Sequence, residues 1–210
     1  DLRSKNFPVD GFALDIQCFR GDFYQANVDR TGSRIRTLEF DSKRFGNAEA
    51  KVRQYKEDEG VELMPIEESY VSKFLLEHQQ LASKGYMAKW CGSDNPTELT
   101  SNPWWGVGGM IDWTNPHAGD FWHDHKRAAL VSMGITHHWT DLGEPEMYDD
   151  NSCYWGFPEL GKHNHSDIHN IYNFRWLESI ARGYERNANK ERPFMMSRSG
   201  TAGVHRFGSA

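Results

Sequence analysis

Trp139-Thr140-Asp141-Leu142-Gly143-Glu144-Pro145 concentrates more potential chemistry than any other segment of this chain. Two carboxylates, Asp141 and Glu144, follow the β-branched and aromatic run Ile135-Thr136-His137-His138-Trp139-Thr140, and a glycine and a proline force a turn around them. A strand is a stiff platform, and a carboxylate at its carboxyl end can be held with the accuracy that nucleophilic or acid/base chemistry needs. Three other apolar runs end in the same way. Asp15 follows Gly11-Phe12-Ala13-Leu14, Glu67 and Glu68 follow residues 61–66, and Arg198 follows Phe194-Met195-Met196-Ser197. Carboxylates converging with aromatic rings suit cleavage of a glycosidic bond: one attacks or stabilises the sugar cation, another donates the proton, and the rings bind sugar faces. Asp141 is the first candidate. Glu67 and Glu68 read as salt-bridge residues, and Glu144 as a residue that fixes its loop.

These groups need elements to carry them. Residues 11–16 read as a buried strand, and 48–59 as a helix ended by Gly60, with Val52 and Tyr55 on one face. Residues 61–66 form the second strand, 71–83 a helix stopped by Gly85, and 86–90 a short strand in an insertion. Asn115-Pro116 opens the clearest helix, with Phe121, Trp122, His125, Ala129 and Met133 at helical spacing and Gly134 as its stop. Residues 135–140 are the third strand; Asp167 caps a helix through residue 184 carrying Ile171, Trp176 and Ile180; Pro193 leads into a fourth strand, 194–197. Apolar strands alternating with helices predict a parallel sheet with right-handed crossovers. A closed eight-fold barrel takes roughly 250 residues. The expected class is therefore α/β, part of a (β/α)8 TIM barrel, about half of one cut from a longer chain.

With 38% hydrophobic residues, the 210-residue chain can build a core, and its net charge of −6 gives no basic footprint for nucleic acid. No apolar run has the length of a membrane span, and the first five residues are not a signal peptide. Three cysteines at wide spacing, Cys18, Cys91 and Cys153, predict neither a disulfide framework nor a zinc knuckle. His123-x-His125 and His163-x-His165-x-x-x-His169 place imidazoles close together, yet only His165 and His169 could share a helical face, so no metal is expected. His137 and His138 must point to opposite faces of their strand. Eight tryptophans are many for this length. Trp105, beside Trp104 and Gly106, reads as a wall of a sugar site, and Trp113 as packing.

The segment around Asp141 resembles the W-x-D-x-x-E-P nucleophile segment of glycoside hydrolase family 31, the α-glucosidase and α-xylosidase family. Three more matches follow in order: Phe7-Pro8-Val9-Asp10-Gly11 through Leu14-Asp15-Ile16 resembles an early barrel strand, Ile111-Asp112-Trp113-Thr114-Asn115-Pro116 a D-F-T-N-P element, and Ser197-Arg198-Ser199-Gly200 through Arg206 an arginine-rich turn. The resemblance implies that Asp141 is a nucleophile forming a covalent glycosyl-enzyme. It implies that Asp15 with Ile16, Trp105, Trp139 and Arg198 line the subsite where the bond is cut, with Glu144 and Asp112 in support. An arginine beside Asp141 would favour its ionised form. The chain then covers the N-terminal to middle portion of a catalytic barrel. The family's acid/base aspartate, in a W-x-G-D segment, would fall beyond Ala210, and the 210 residues alone should not turn over. The implied activity is retaining hydrolysis of α-glucosides or oligosaccharides with no cofactor. The alternatives are a transglycosylase of the same family and a carbohydrate-binding barrel without catalysis.

Overall fold

The computed structural model describes residues 2–21, 36–99, 106–145, 149–157 and 161–210. Its strands are β1 Gly11–Leu14, β2 Phe19–Arg20, β3 Arg36–Phe40, β4 Glu62–Glu67, β5 Tyr70–Ser72, β6 Lys89–Trp90, β7 Gly108–Met110, β8 His137–Thr140, β9 Ser152–Phe157, β10 Gly161–Asn164 and β11 Phe194–Ser197. Its α-helices are α1 Ser42–Phe45, α2 Ala48–Arg53, α3 Leu76–Ser83, α4 Pro116–Trp122, α5 Ala128–Ser132, α6 His165–Ile168 and α7 Tyr172–Arg186.

The four strands read from the sequence form one all-parallel sheet in chain order, β1-β4-β8-β11. Every carboxyl end therefore lies along the same rim, as in a TIM barrel. Helices cover one face. Leu63 of β4 and Met195 of β11 are buried, and Trp176, Leu177 and Ile180 of α7 are shut off from solvent altogether. Trp113 stacks on Trp176 with centroids 5.3 Å apart, the packing role expected for it. The opposite face of the sheet is a hollow of about 360 Å³ lined by Phe12, Met64, His137, Phe194 and Met196.

Two long excursions leave the rim, one between β4 and α4 and one between β8 and α7. Each contains antiparallel strands, of which the sequence announces only β6, within the short strand read at 86–90. Residues 71–83 are not one helix: Tyr70–Ser72 pairs with Gly108–Met110, and α3 starts only at Leu76. Gly108 makes this pairing possible, since a Cβ there would lie 2.3 Å from the Val71 carbonyl oxygen. A contact 37 residues away in sequence thus overrides a helical pattern. In the second excursion β9 pairs with both β10 and β6, and Cys91 and Cys153 form a disulfide across the β6–β9 junction. That corrects the expectation of no disulfide. Their separation of 62 residues hides the pairing until Lys89 aligns with Cys153.

The helix starts also differ. Asn164, not Asp167, is the cap: its side chain accepts from the Asp167 N–H at 3.2 Å, and a 3₁₀ turn at His169–Ile171 separates α6 from α7. The Asn115 cap stands as read, its side chain accepting from the His117 N–H at 3.0 Å. Between α4 and α5, however, His123–Arg127 is a π-helical segment. This bulge rotates the following turn, so that His123, Lys126 and Arg127 are buried while His125 and Ala129 face solvent. No helix among the described residues is long and apolar enough to cross a membrane.

Candidate active site

β8 ends at Thr140, and its side chains alternate as a strand requires. His138 Nε2 meets the Tyr184 hydroxyl at 2.8 Å and Thr140 Oγ1 donates to Asn173 Oδ1 at 3.2 Å, both on α7. His137 and Trp139 therefore take the other face, toward the hollow. The ladder carries on one step further. The Asp141 N–H donates to the Glu67 carbonyl at 3.1 Å, and the Arg198 N–H to the Thr140 carbonyl at 3.3 Å. These bonds place Asp141 and Arg198 on neighbouring strand tips.

Immediately after Asp141 the backbone turns sharply. Leu142 has φ +55° and is buried, a left-handed conformation that costs a non-glycine residue about 1 kcal/mol or more and holds only where the surroundings enforce it. Gly143 follows against the Asn173 side chain, which leaves no room for a Cβ. Glu144 then comes back toward Arg198, whose Nε donates to Glu144 Oε1 at 2.8 Å. The same guanidinium reaches Asp141, with Nη1 3.7 Å from Oδ1. Arg198 is thus shared by two carboxylates, with the closer contact to Glu144.

The Asp141 side chain is 17% exposed. Burial pushes its carboxyl above the usual carboxylate range; the Leu142 N–H and Arg198 pull it down, and Glu144 and Asp15 push it up again. The arginine acts in the expected direction, but the net shift is upward. Desolvation and two like charges together outweigh the Leu142 N–H and one partly exposed cation.

Asp15 lies at the tip of β1 and is exposed, its carboxylate accepting from the Ile16 N–H at 2.6 Å as the cap of a short 3₁₀ turn; Ile16 is half-buried. Trp139 is half-buried on β8 and packs against the core. Trp105 lies outside the described residues. Asp112 is not brought to the rim. It is 2% exposed, bonds the Thr114 N–H and hydroxyl, and accepts from the Trp155 N–H at 2.6 Å, so it fastens the first excursion to β9. Glu67 is fully buried and held by Arg127 at 2.6–3.0 Å and by Trp176 Nε1 at 2.8 Å. A separate cavity of about 320 Å³ is lined by Trp90, Trp155 and Asp112 among others, and by none of Asp15, Asp141, Glu144 or Arg198. No group of three or more His, Cys, Asp or Glu among the described residues could hold a metal ion.

Sequence reasoning missed Asn173 and the sharing of Arg198. A signal for Asn173 existed: a polar residue at the same helical face as Trp176 and Ile180 is out of place unless it bonds something.

The site as built is a desolvated carboxylate on a rigid strand tip, within reach of a cation and in the field of a second carboxylate. It can approach a developing positive charge, or bond to it, from a fixed direction. Among curated proteins, alpha-glucosidase 2 of Bacillus thermoamyloliquefaciens is 24% identical over 214 residues, covering 97% of this chain and 24% of that protein. Neutral alpha-glucosidase C of Mus musculus is 32% identical over 112 residues, 50% of this chain and 12% of that protein. Among solved structures, the Flavobacterium johnsoniae GH31 dextranase complexed with glucose superposes with a TM-score of 0.78 at 22% identity, over 99% of this chain and 24% of that one. The glucosidase II alpha subunit does so with a TM-score of 0.76 at 20% identity, over 100% and 22%. The chain thus spans about a quarter of the length of the first of these relatives. It matches the glycosyl hydrolases family 31 TIM-barrel domain over residues 1–210, and it belongs to that family as part of the barrel.

Proposed function

We propose that the protein containing this chain hydrolyses α-glucosidic bonds with retention of configuration, and that Asp141 is the nucleophile. The observation that carries this reading is the placement of Asp141 on the tip of β8, its N–H bonded to the Glu67 carbonyl and its carboxylate 3.7 Å from Arg198. The names of the relatives, alpha-glucosidases among them, support the substrate class. In the first step Asp141 Oδ attacks the anomeric carbon, the bond to the leaving oxygen breaks, and a protonated acid elsewhere in the barrel delivers a proton to that oxygen. In the second step water, deprotonated by the same group, displaces the aspartate ester. Asp15 and Arg198 bind sugar hydroxyls, with Ile16, Trp139 and Trp105 as walls. Glu144 holds Arg198, and Asp112 holds the loop beneath. The acid/base residue is supplied from beyond Ala210, and the reaction needs no cofactor.

A fluorinated α-glucosyl fluoride, which forms the ester and hydrolyses it slowly, provides the test on the full-length protein. Mass spectrometry should find the label on the peptide containing Asp141. A label on any other residue, or retention of full activity by the Asp141→Asn variant, overturns the assignment. Binding of oligosaccharide without cleavage would instead favour the non-catalytic barrel.

A further inference from the structure

We propose that Asn173 is a positioning residue: from the helix layer it clamps the tip of β8 to the tip of β11 and so sets the spacing between Asp141 and Arg198. This rests on the roles assigned to those two residues above.

Asn173 lies in the first turn of α7 and is 2% exposed. Its side chain does three things. Oδ1 accepts from Thr140 Oγ1 at 3.2 Å, and Nδ2 donates to Ser197 Oγ and to the Ser199 carbonyl. The orientation of the amide follows from chemistry, since a carbonyl oxygen can only accept and so must face the NH₂ end. Ser197 Oγ in turn donates to the Ser199 carbonyl at 2.8 Å. Thr140 precedes Asp141, and Ser197 and Ser199 flank Arg198. One buried amide therefore grips both charged residues through their immediate neighbours.

The grip comes where the sheet ladder ends. Ser197 and Thr140 are the last register partners of β11 and β8, and one further bond, from the Arg198 N–H to the Thr140 carbonyl, closes the ladder. Gly143 adds an independent observation. Its φ lies outside the left-handed region, so its own backbone would accept alanine; what forbids a Cβ is the Asn173 side chain, at 2.4–2.9 Å. The Asp141 loop is thus folded down onto the same amide that bonds Thr140.

The test compares full-length wild type with Asn173→Ala, Gly143→Ala and Ile180→Val, the last a buried position two turns along the same helical face. Asn173→Ala removes the clamp, and Gly143→Ala displaces it without removing a hydrogen-bonding atom. Both should lower kcat on an aryl α-glucoside about 10–100-fold, the cost of a misplacement near 1 Å, with a much smaller change in KM. In both, the acidic limb of the kcat/KM profile should move to higher pH as Arg198 withdraws from Asp141, leaving it to Glu144, Asp15 and burial. Ile180→Val should change none of these. A merely structural asparagine predicts a lower melting temperature with kcat and the acidic limb at wild-type values, and that result overturns the proposal. Crystal structures of the two variants give a readout free of substrate. The Asp141–Arg198 separation should differ from wild type by about 1 Å, and an unchanged separation in both overturns the clamp. A wild-type protein inactive on every α-glycoside tested would refute the proposed function while leaving this structural outcome decisive for Asn173.

Discussion

The tips of β4 and β8 are adjacent, each carries a carboxylate, and each carboxylate faces an arginine, yet their surroundings are opposite in kind. Glu67 and its partner Arg127 are both fully buried, with contacts of 2.6–3.0 Å and a further bond from Trp176. Asp141 is 17% exposed and Arg198 45% exposed, at 3.7 Å, with the arginine better bonded to Glu144. The difference arises from strand parity. Glu67 is the register partner of Thr140, so both turn toward the helix layer. Asp141 is one residue further on, and one step along a strand reverses the side chain. A carboxylate whose two oxygens are both held by buried donors is a structural fixture; one that keeps some exposure beside a distant, shared cation can meet a substrate.

Replacing each carboxylate by its amide separates the two roles. Asp141→Asn in the full-length protein should reduce kcat by about four orders of magnitude, the scale of removing a group in covalent catalysis, with the melting temperature held or raised. A loss of stability with activity retained would reverse our assignment. Glu67→Gln should do the opposite, leaving Arg127 as an uncompensated buried cation at a cost of about 3–5 kcal/mol in denaturant unfolding. An unaltered unfolding curve would show that the β4 pair does not hold the helix layer.

The helix side of the sheet should also set the acid limit of the fold. Burial, helped by Arg127, holds His123 and His138 neutral, each with its pKa lowered to about 3. The unfolded chain takes up these protons near the ordinary value of 6.5, so stability is full above that pH. Below it, stability should fall by up to roughly 1.4 kcal/mol per pH unit per histidine until pH 3 is approached. His138→Gln should flatten that slope in pH-dependent melts; an unchanged slope would place the acid sensitivity elsewhere. The smallest effect expected is on the catalytic side. Glu144→Gln removes a repelling charge and frees Arg198 for Asp141, so the acidic limb of kcat/KM should move to lower pH by a fraction of a unit. A shift to higher pH would mean that Glu144 orients Arg198 toward Asp141 more than it competes for it.

Much of this molecule is legible locally. The four parallel strands follow from apolar runs punctuated by glycine, proline and charge, and the Asn115 cap from the same kind of short-range rule. Asp141 stands out because a strand followed by Asp-Leu-Gly-Glu-Pro is unusual in itself. Apart from the cap at Asn164, which a neighbour three residues on decides, what could not be read has one physical cause, contacts between residues far apart in the chain. Pairing of residues 70–72 with 108–110 replaces the first turn of an expected helix. The Cys91–Cys153 bond depends on β6 meeting β9. The π-bulge at residues 123–127 brings Arg127 onto Glu67 60 residues away.

The amino-acid sequence alone determined which side chains stand at strand ends, because strand formation and turn chemistry depend on near neighbours. The tertiary structure alone decided what surrounds each of them, since the protonation and partners of a carboxylate depend on the dielectric and charges around it. Arg198, Asn173 and Arg127 come from three other elements of the chain, and their distances exist only after folding.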